Sequence, residues 1–402
     1  MKYLLYCLIP LSLTFDVMTQ TVFETGSGFS IIRPALILMV LSSVIFVKTP
    51  TWAIMGVYLY CLYIFLLIFA SPDVFTSLRI SSKVILSFLM FPFGYYVVKD
   101  WGRLSALNRS LIISGGLFIL NFLVSQYFGI GVSDYTKSND FLLGSLADSW
   151  NIVVYILLLM PAITLTERND QLMLSAMFVV LAILMTIGLK RIAILGVLAG
   201  YTYYAIFLFR FSFTTVVKIA FVVLLVTIGI AANYELLETR FFARGEKMGS
   251  DIVYVLQQEG RFAETLAVWG EIFRFEQPID VLFGLTPFNS VGNYGFQFGE
   301  RQLHIDYNLI VNTLGVSGLI GYFLMFALIW FQFFKLKRGL VNAGTTVTTL
   351  TAVFTCIFAV QFLTSFGGQM YSFTFRALIF LYLGAILRLL SEEKRQLRGC
   401  DD

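Results

Sequence analysis

Apolar stretches of about 17 to 25 residues, each long enough as a helix to cross roughly 30 Å of hydrocarbon, recur through almost the whole chain. They fall at 3–20, 31–47, 52–70, 80–98, 110–128, 149–166, 172–189, 192–209, 215–233, 307–334, 346–365 and 371–390, which makes twelve. Nothing else in the sequence constrains the fold as tightly. Composition agrees, with 58% hydrophobic and 13% charged residues and a mean hydropathy of +0.83. A water-soluble domain carries about a quarter charged residues. The expected class is an all-α integral membrane protein of about 12 transmembrane helices.

Charge orients the spans. With the N-terminus inside, fifteen Lys and Arg residues fall on inner segments, among them Lys99, Arg103, Lys335, Lys337, Arg338 and Arg388. The short outer loops hold seven: Arg33, Arg79, Lys83, Lys137, Lys190, Arg191 and Arg376. That bias puts both termini in the cytoplasm. The formal charge of +4 is small and scattered, so it gives no footprint for nucleic acid. Cys7, Cys61 and Cys356 lie in apolar stretches and Cys400 in the charged tail, without a CxxC pair or a Cys/His cluster, so no metal site is expected. The opening run from Tyr3 to Phe15 is followed by no small-x-small cleavage site and reads as an uncleaved first span.

This organisation divides the chain into N-terminal membrane helices (1–233), one large outer loop (234–303), C-terminal membrane helices (304–390) and a cytoplasmic tail (391–402). The loop is the one segment with enough polar sequence to build structure outside the bilayer. Residues 235–249 and 251–275 have helical character, whereas 277–299, rich in Pro, Gly, Asn and Phe, reads as irregular.

Chemistry-bearing residues here are mostly cationic. Arg240, Arg244 and Lys247 lie at i, i+4 and i+7, so a helix aligns them near the outer boundary, where they can bind lipid phosphate or simply face solvent and head groups. Arg261 stands in Gly260-Arg261-Phe262, with Glu264 one turn on. A guanidinium fork suits a diphosphate better than an ammonium does, while a helix-surface pair between Arg261 and Glu264 accounts for the same residues. Lys190 and Arg191 interrupt two apolar spans, which marks either a protein-lined cavity or a tight hairpin with snorkelling side chains. Arg79 and Arg376, at outer ends of spans, carry the same two readings.

The sharpest pattern runs from Arg301 through His304, Asp306, Tyr307 and Asn308 towards Gly315 and Gly318. His304 is the protein's single histidine and sits where the polar loop enters the membrane. On a helix His304 and Asn308 share a face and Asp306 points elsewhere, so the Asp is either a partner in catalysis or an N-cap of the following span.

Taken in order, Leu-Lys-Arg-Ile-Ala at 189–193, Gly-Arg-Phe-(x)6-Trp at 260–269, Phe-Gly-Leu at 283–285 and His-x-Asp-Tyr-(x)7-Gly-(x)2-Gly from His304 resemble the O-antigen polymerase and O-antigen ligase superfamily. The resemblance covers most of the chain. One departure is Lys190, where the family often has Ser. It implies a fold like the C-type glycosyltransferases, with a periplasmic loop containing short helices, in the bacterial inner membrane. It also implies metal-independent, cofactor-free, inverting transfer of a growing glycan from undecaprenyl diphosphate to a sugar hydroxyl of a new lipid-linked repeat unit. His304, Arg261 and Asp306 are then the expected catalytic residues. Arg191, Arg240, Arg244, Lys247, Arg301, Arg79 and Arg376 are the expected diphosphate ligands. Expected partners are the undecaprenyl-diphosphate-linked oligosaccharide, the lipid bilayer and a chain-length-regulating membrane protein, with no nucleic acid. A ligase moving finished polymer onto lipid A core would use nearly the same residues; His-x-Asp-Tyr rather than His-Asn favours the polymerase. A flippase or transporter would explain the spans but not the loop.

Overall fold

The computed structural model describes residues 50–128, 173–177, 179–180, 260–284, 286–293, 300–340, 345–366, 370 and 373–399. Its described regular structure is helical apart from one two-residue ladder. The helices are α1 (Trp52–Ala70), α2 (Val74–Val97), α3 (Trp101–Phe128), α4 (Gly260–Arg274), α5 (Pro278–Phe283), α6 (Asp306–Arg338), α7 (Thr345–Ser365) and α8 (Phe373–Gly399). Strands β1 (Gly292–Asn293) and β2 (Glu300–Arg301) pair antiparallel.

Among the described residues four helices are long and apolar enough to cross a membrane: α1, α2, α3 over Trp101–Val124, and α6. A lipid-embedded backbone has to satisfy its own polar groups, and a continuous helix does so within one segment. The protein is therefore an all-α membrane protein. Six expected spans, at 3–20, 31–47, 149–166, 172–189, 192–209 and 215–233, lie outside the described residues except for helical residues 173–177 and 179–180.

Local signals set the helix ends. Thr51 caps α1 by accepting the Ile54 N–H at 3.4 Å, and Asp73 caps α2 by accepting the Thr76 N–H at 3.0 Å. Expected spans at 80–98 and 110–128 become the longer α2 and α3, because polar first turns extend each helix beyond its apolar run. The span expected at 371–390 continues as α8 through the charged tail to Gly399.

Every residue of α8 from Arg376 to Leu387 is buried, so this helix is the centre of the described bundle. It packs most extensively on α2, where Gly94 and Gly384 allow the backbones to touch. A Cβ on Gly94 would strike the Leu381 carbonyl, and one on Gly384 the Phe91 carbonyl. Helix α1 lies against α2 and α6, and α7 lies against α8. Tyr382 donates to Asn108 at 3.0 Å and joins α8 to α3.

The two ends of the bundle differ in charge. At one end the α2–α3 link with Lys99 and Arg103, the end of α6 with Lys335, Lys337 and Arg338, and the tail of α8 come together. Trp101 Nε1 donates to Glu393 at 3.1 Å and Lys394 Nζ donates to the Lys335 carbonyl at 3.0 Å. At the other end sit α4, α5, the β ladder and the start of α6.

Helix α6 breaks at Gly315, whose φ of 73° and ψ of −178° suit only glycine. The break leaves Val316–Arg338, 23 residues or about 34 Å of helix, to match the hydrocarbon thickness, with Asp306–Leu314 as a separate segment above it. Helix α5 plugs the break. Its terminating Gly284 (φ 68°) meets the Thr313–Leu314 peptide, Gly315 meets the Leu282–Phe283 peptide, and Ser317 Oγ donates to the Leu282 carbonyl. The Leu314 carbonyl accepts a 2.7 Å hydrogen bond from Tyr63 of α1.

Candidate functional site

Two expectations about the start of α6 need correction. His304 is not helical: α6 begins at Asp306 with Ile305 as N-cap, so His304 and Asn308 do not share a helix face. Asp306 is not the N-cap either. Its side chain points into the bundle, 1% exposed, where Oδ2 pairs with the Arg376 guanidinium and Oδ1 accepts the Met370 N–H at 2.8 Å. The stretch 277–299, expected to be irregular, contains α5, started by Pro278 at a position where a missing N–H costs nothing.

His304 and α4 meet through one carboxylate. Glu264, which the alternative of a helix-surface pair with Arg261 would leave in solvent, is fully buried. Its Oε1 accepts the backbone N–H groups of both His304 and Ile305 at 3.0 Å, and its Oε2 lies 3.7 Å from His304 Nδ1. The imidazole itself is half-exposed. Burial, the largest single influence on Glu264, raises a carboxyl's pKa. The ring and N–H of His304 and the N–H of Ile305 together outweigh it and hold Glu264 below its ordinary value, so the group is ionised at neutral pH.

Neighbouring bonds lock this junction. Trp269 Nε1 donates to Asn308 Oδ1 at 3.1 Å and Asn308 Nδ2 donates to Thr265 Oγ1 at 2.9 Å, fixing α4 against the first turn of α6. Leu303 N donates to Ser290 Oγ at 3.1 Å, and Ser81 Oγ donates to the Pro287 carbonyl at 3.3 Å, which ties the β-ladder region to α2.

Beneath it lies a buried polar layer. Arg376, fully buried in α8, bonds Asp306, the Gln361 carbonyl at 3.3 Å, Thr364 Oγ1 at 3.4 Å and Ser365 Oγ at 3.3 Å. Gln361 Nε2 donates to Tyr322 at 3.2 Å, and Tyr307 donates to the Phe362 carbonyl at 3.0 Å. A membrane-embedded guanidinium is tolerable with such a set of acceptors. Of the expected diphosphate ligands, Arg376 thus stands inside the bundle as the partner of Asp306 rather than snorkelling outward.

The other candidates fall in different places. Arg79 is exposed on the second turn of α2. Arg261 lies in the first turn of α4 and Arg301 in β2, but their side chains are outside the description. Arg191, Arg240, Arg244 and Lys247 lie outside the described residues.

Sequence reasoning named Glu264 without linking it to His304, and it missed the Asn308 bridge and the packing of Gly284 and Gly315 at the α5–α6 contact. Gly284, Gly315 and Trp269 of the motifs were the available signals, because each stands at one of these contacts. No model of a known protein family matches the chain, and no curated protein sequence matches it either.

Proposed function

We propose that the chain is a membrane glycosyltransferase of the O-antigen polymerase type. It transfers a growing glycan from undecaprenyl diphosphate to a hydroxyl of a new lipid-linked repeat unit at the outer face of the bacterial inner membrane. The observation that supports this reading best is the buried, ionised carboxylate of Glu264 held against the single histidine, at the point where the polar loop enters the long apolar helix α6.

In this reading Glu264 orients the imidazole through Nδ1 and leaves Nε2 for the acceptor. The ring takes the proton of the acceptor hydroxyl as its oxygen attacks the anomeric carbon, and the bond from that carbon to the diphosphate oxygen breaks. Ionised Glu264 stabilises the imidazolium that forms, and base catalysis of this kind contributes about a hundred- to ten-thousandfold. Negative charge growing on the leaving diphosphate calls for guanidinium donors on the same side, Arg261 first, and losing one such donor would cost about 2.7 to 4 kcal/mol. Asp306 is a positioning residue, holding the start of α6 on Arg376. The gathering of Lys and Arg at the opposite end of the bundle supports an outward-facing site.

The test is complementation of a deletion strain and inspection of its glycolipids. His304→Ala and Arg261→Ala each insert normally and leave a single repeat on the core. Normal chain length in both variants overturns the assignment. Complete polymer left on its carrier points to a ligase, and repeat units retained in the cytoplasm point to a flippase.

A further inference from the structure

Helix α4 carries apolar residues on both of its faces. Its bundle-facing side carries Glu264 and Val268, both buried. Phe262, Leu266 and Phe273, spaced i, i+4 and i+11, form a stripe on the opposite side, 40%, 58% and 80% exposed. A helix in water buries its Phe and exposes its Glu. The stripe continues beyond the helix: Phe275, in a left-handed conformation (φ 53°) that bulky residues rarely adopt, is 51% exposed, and Ile279 of α5 is 66% exposed.

The depth of this surface follows from α5. Gly284 meets the Thr313–Leu314 peptide and Gly315 the Leu282–Phe283 peptide, so α5 ends level with the break in α6, immediately before the segment that matches the hydrocarbon thickness. The first turns below the break expose Ile320, Phe323 and Leu324. Apolar side chains are thereby exposed at the level of the break both on the loop helix α5 and on the first turns of the membrane-crossing helix. Exposed Arg274, beside Phe273 at the end of α4, sits where a snorkelling cation meets lipid phosphate.

We infer that α4 and α5 lie in the membrane interface with the Phe262–Phe273 stripe and Ile279 inserted among phospholipid acyl chains, so that the helix carrying Glu264 is a lipid-seated element and not a cap in water. The inference needs only the membrane placement of the bundle and is independent of the glycan-transfer reading.

The wild-type chain is reconstituted in phosphatidylethanolamine–phosphatidylglycerol vesicles containing a diazirine-bearing phospholipid, and photo-adducts are mapped by mass spectrometry. Peptides covering 262–283 carry adducts as the 316–325 segment does; adducts confined to the crossing helices overturn the inference. Nitroxides placed by Phe273→Cys and Ile279→Cys, with the four native cysteines replaced, give a second readout. Both sites favour relaxation by oxygen over a water-soluble nickel chelate, and the exposed positions Glu271 and Asp280 show the reverse. Equal chelate access at all four sites, or spin–spin broadening removed by dilution with unlabelled protein, places the stripe in water or against a second copy and overturns it.

Discussion

Glu264 has three tasks at once: it satisfies two backbone N–H groups, faces the imidazole, and stays ionised although buried. Its carboxyl is held below the ordinary value in the folded protein, so the stability it contributes is present above the unfolded pKa of about 4.3 and is lost as pH falls through the folded value. Docking of α4 on α6 should therefore loosen as pH falls below the ordinary carboxylate range, seen as proteolysis near Gly260–Arg274, and Glu264→Gln should remove that pH dependence. Arg376 teaches the complementary lesson. Sequence position put it at an outer span end, but only coordinates reveal its partner, Asp306, 70 residues earlier. Arg376→Leu, which strands a buried carboxylate, should cost about 3 to 5 kcal/mol. Adding Asp306→Leu to it should recover most of that loss, read as thermal unfolding in detergent. A partner this distant in sequence leaves no local signal.

Spans were legible because a crossing helix is written in one contiguous run: α1 lies where the apolar stretch put it, and α6 and α7 extend the expected runs by only a few residues. Helix breaks were not. Gly315 sits inside an apolar run that reads as uninterrupted helix, and an isolated glycine in such a run carries no mark of its φ. The break appears only when α5 is folded against it. Gly315→Ala should cost about 1 to 3 kcal/mol from the backbone alone. A contact with the Leu282 carbonyl adds to that, so α5 should be expelled while α6 still inserts. Faster deuterium uptake at 278–284 with unchanged membrane insertion is the expected signature.

At the scale of the molecule, the described helices form a bundle with a basic end and a loop-covered end. Topology reporters should give cytoplasmic signals when fused after Leu340 and outer-face signals when fused at 286–293, and the reverse pattern would invert the site. The overall class was legible because solvent selects composition before any fold exists. The site was legible only in part, since the motifs gave its residues and not which of them touch. The seam between α2 and α8 adds a constraint of time. Phe91 and Gly94 must wait for Gly384, and Trp101 for Glu393, some 290 positions later on the ribosome. The first half of that seam therefore enters the bilayer with its glycine face open to lipid or to a passing chaperone. The seam closes only when α8, the last described helix to be synthesised, packs on α2.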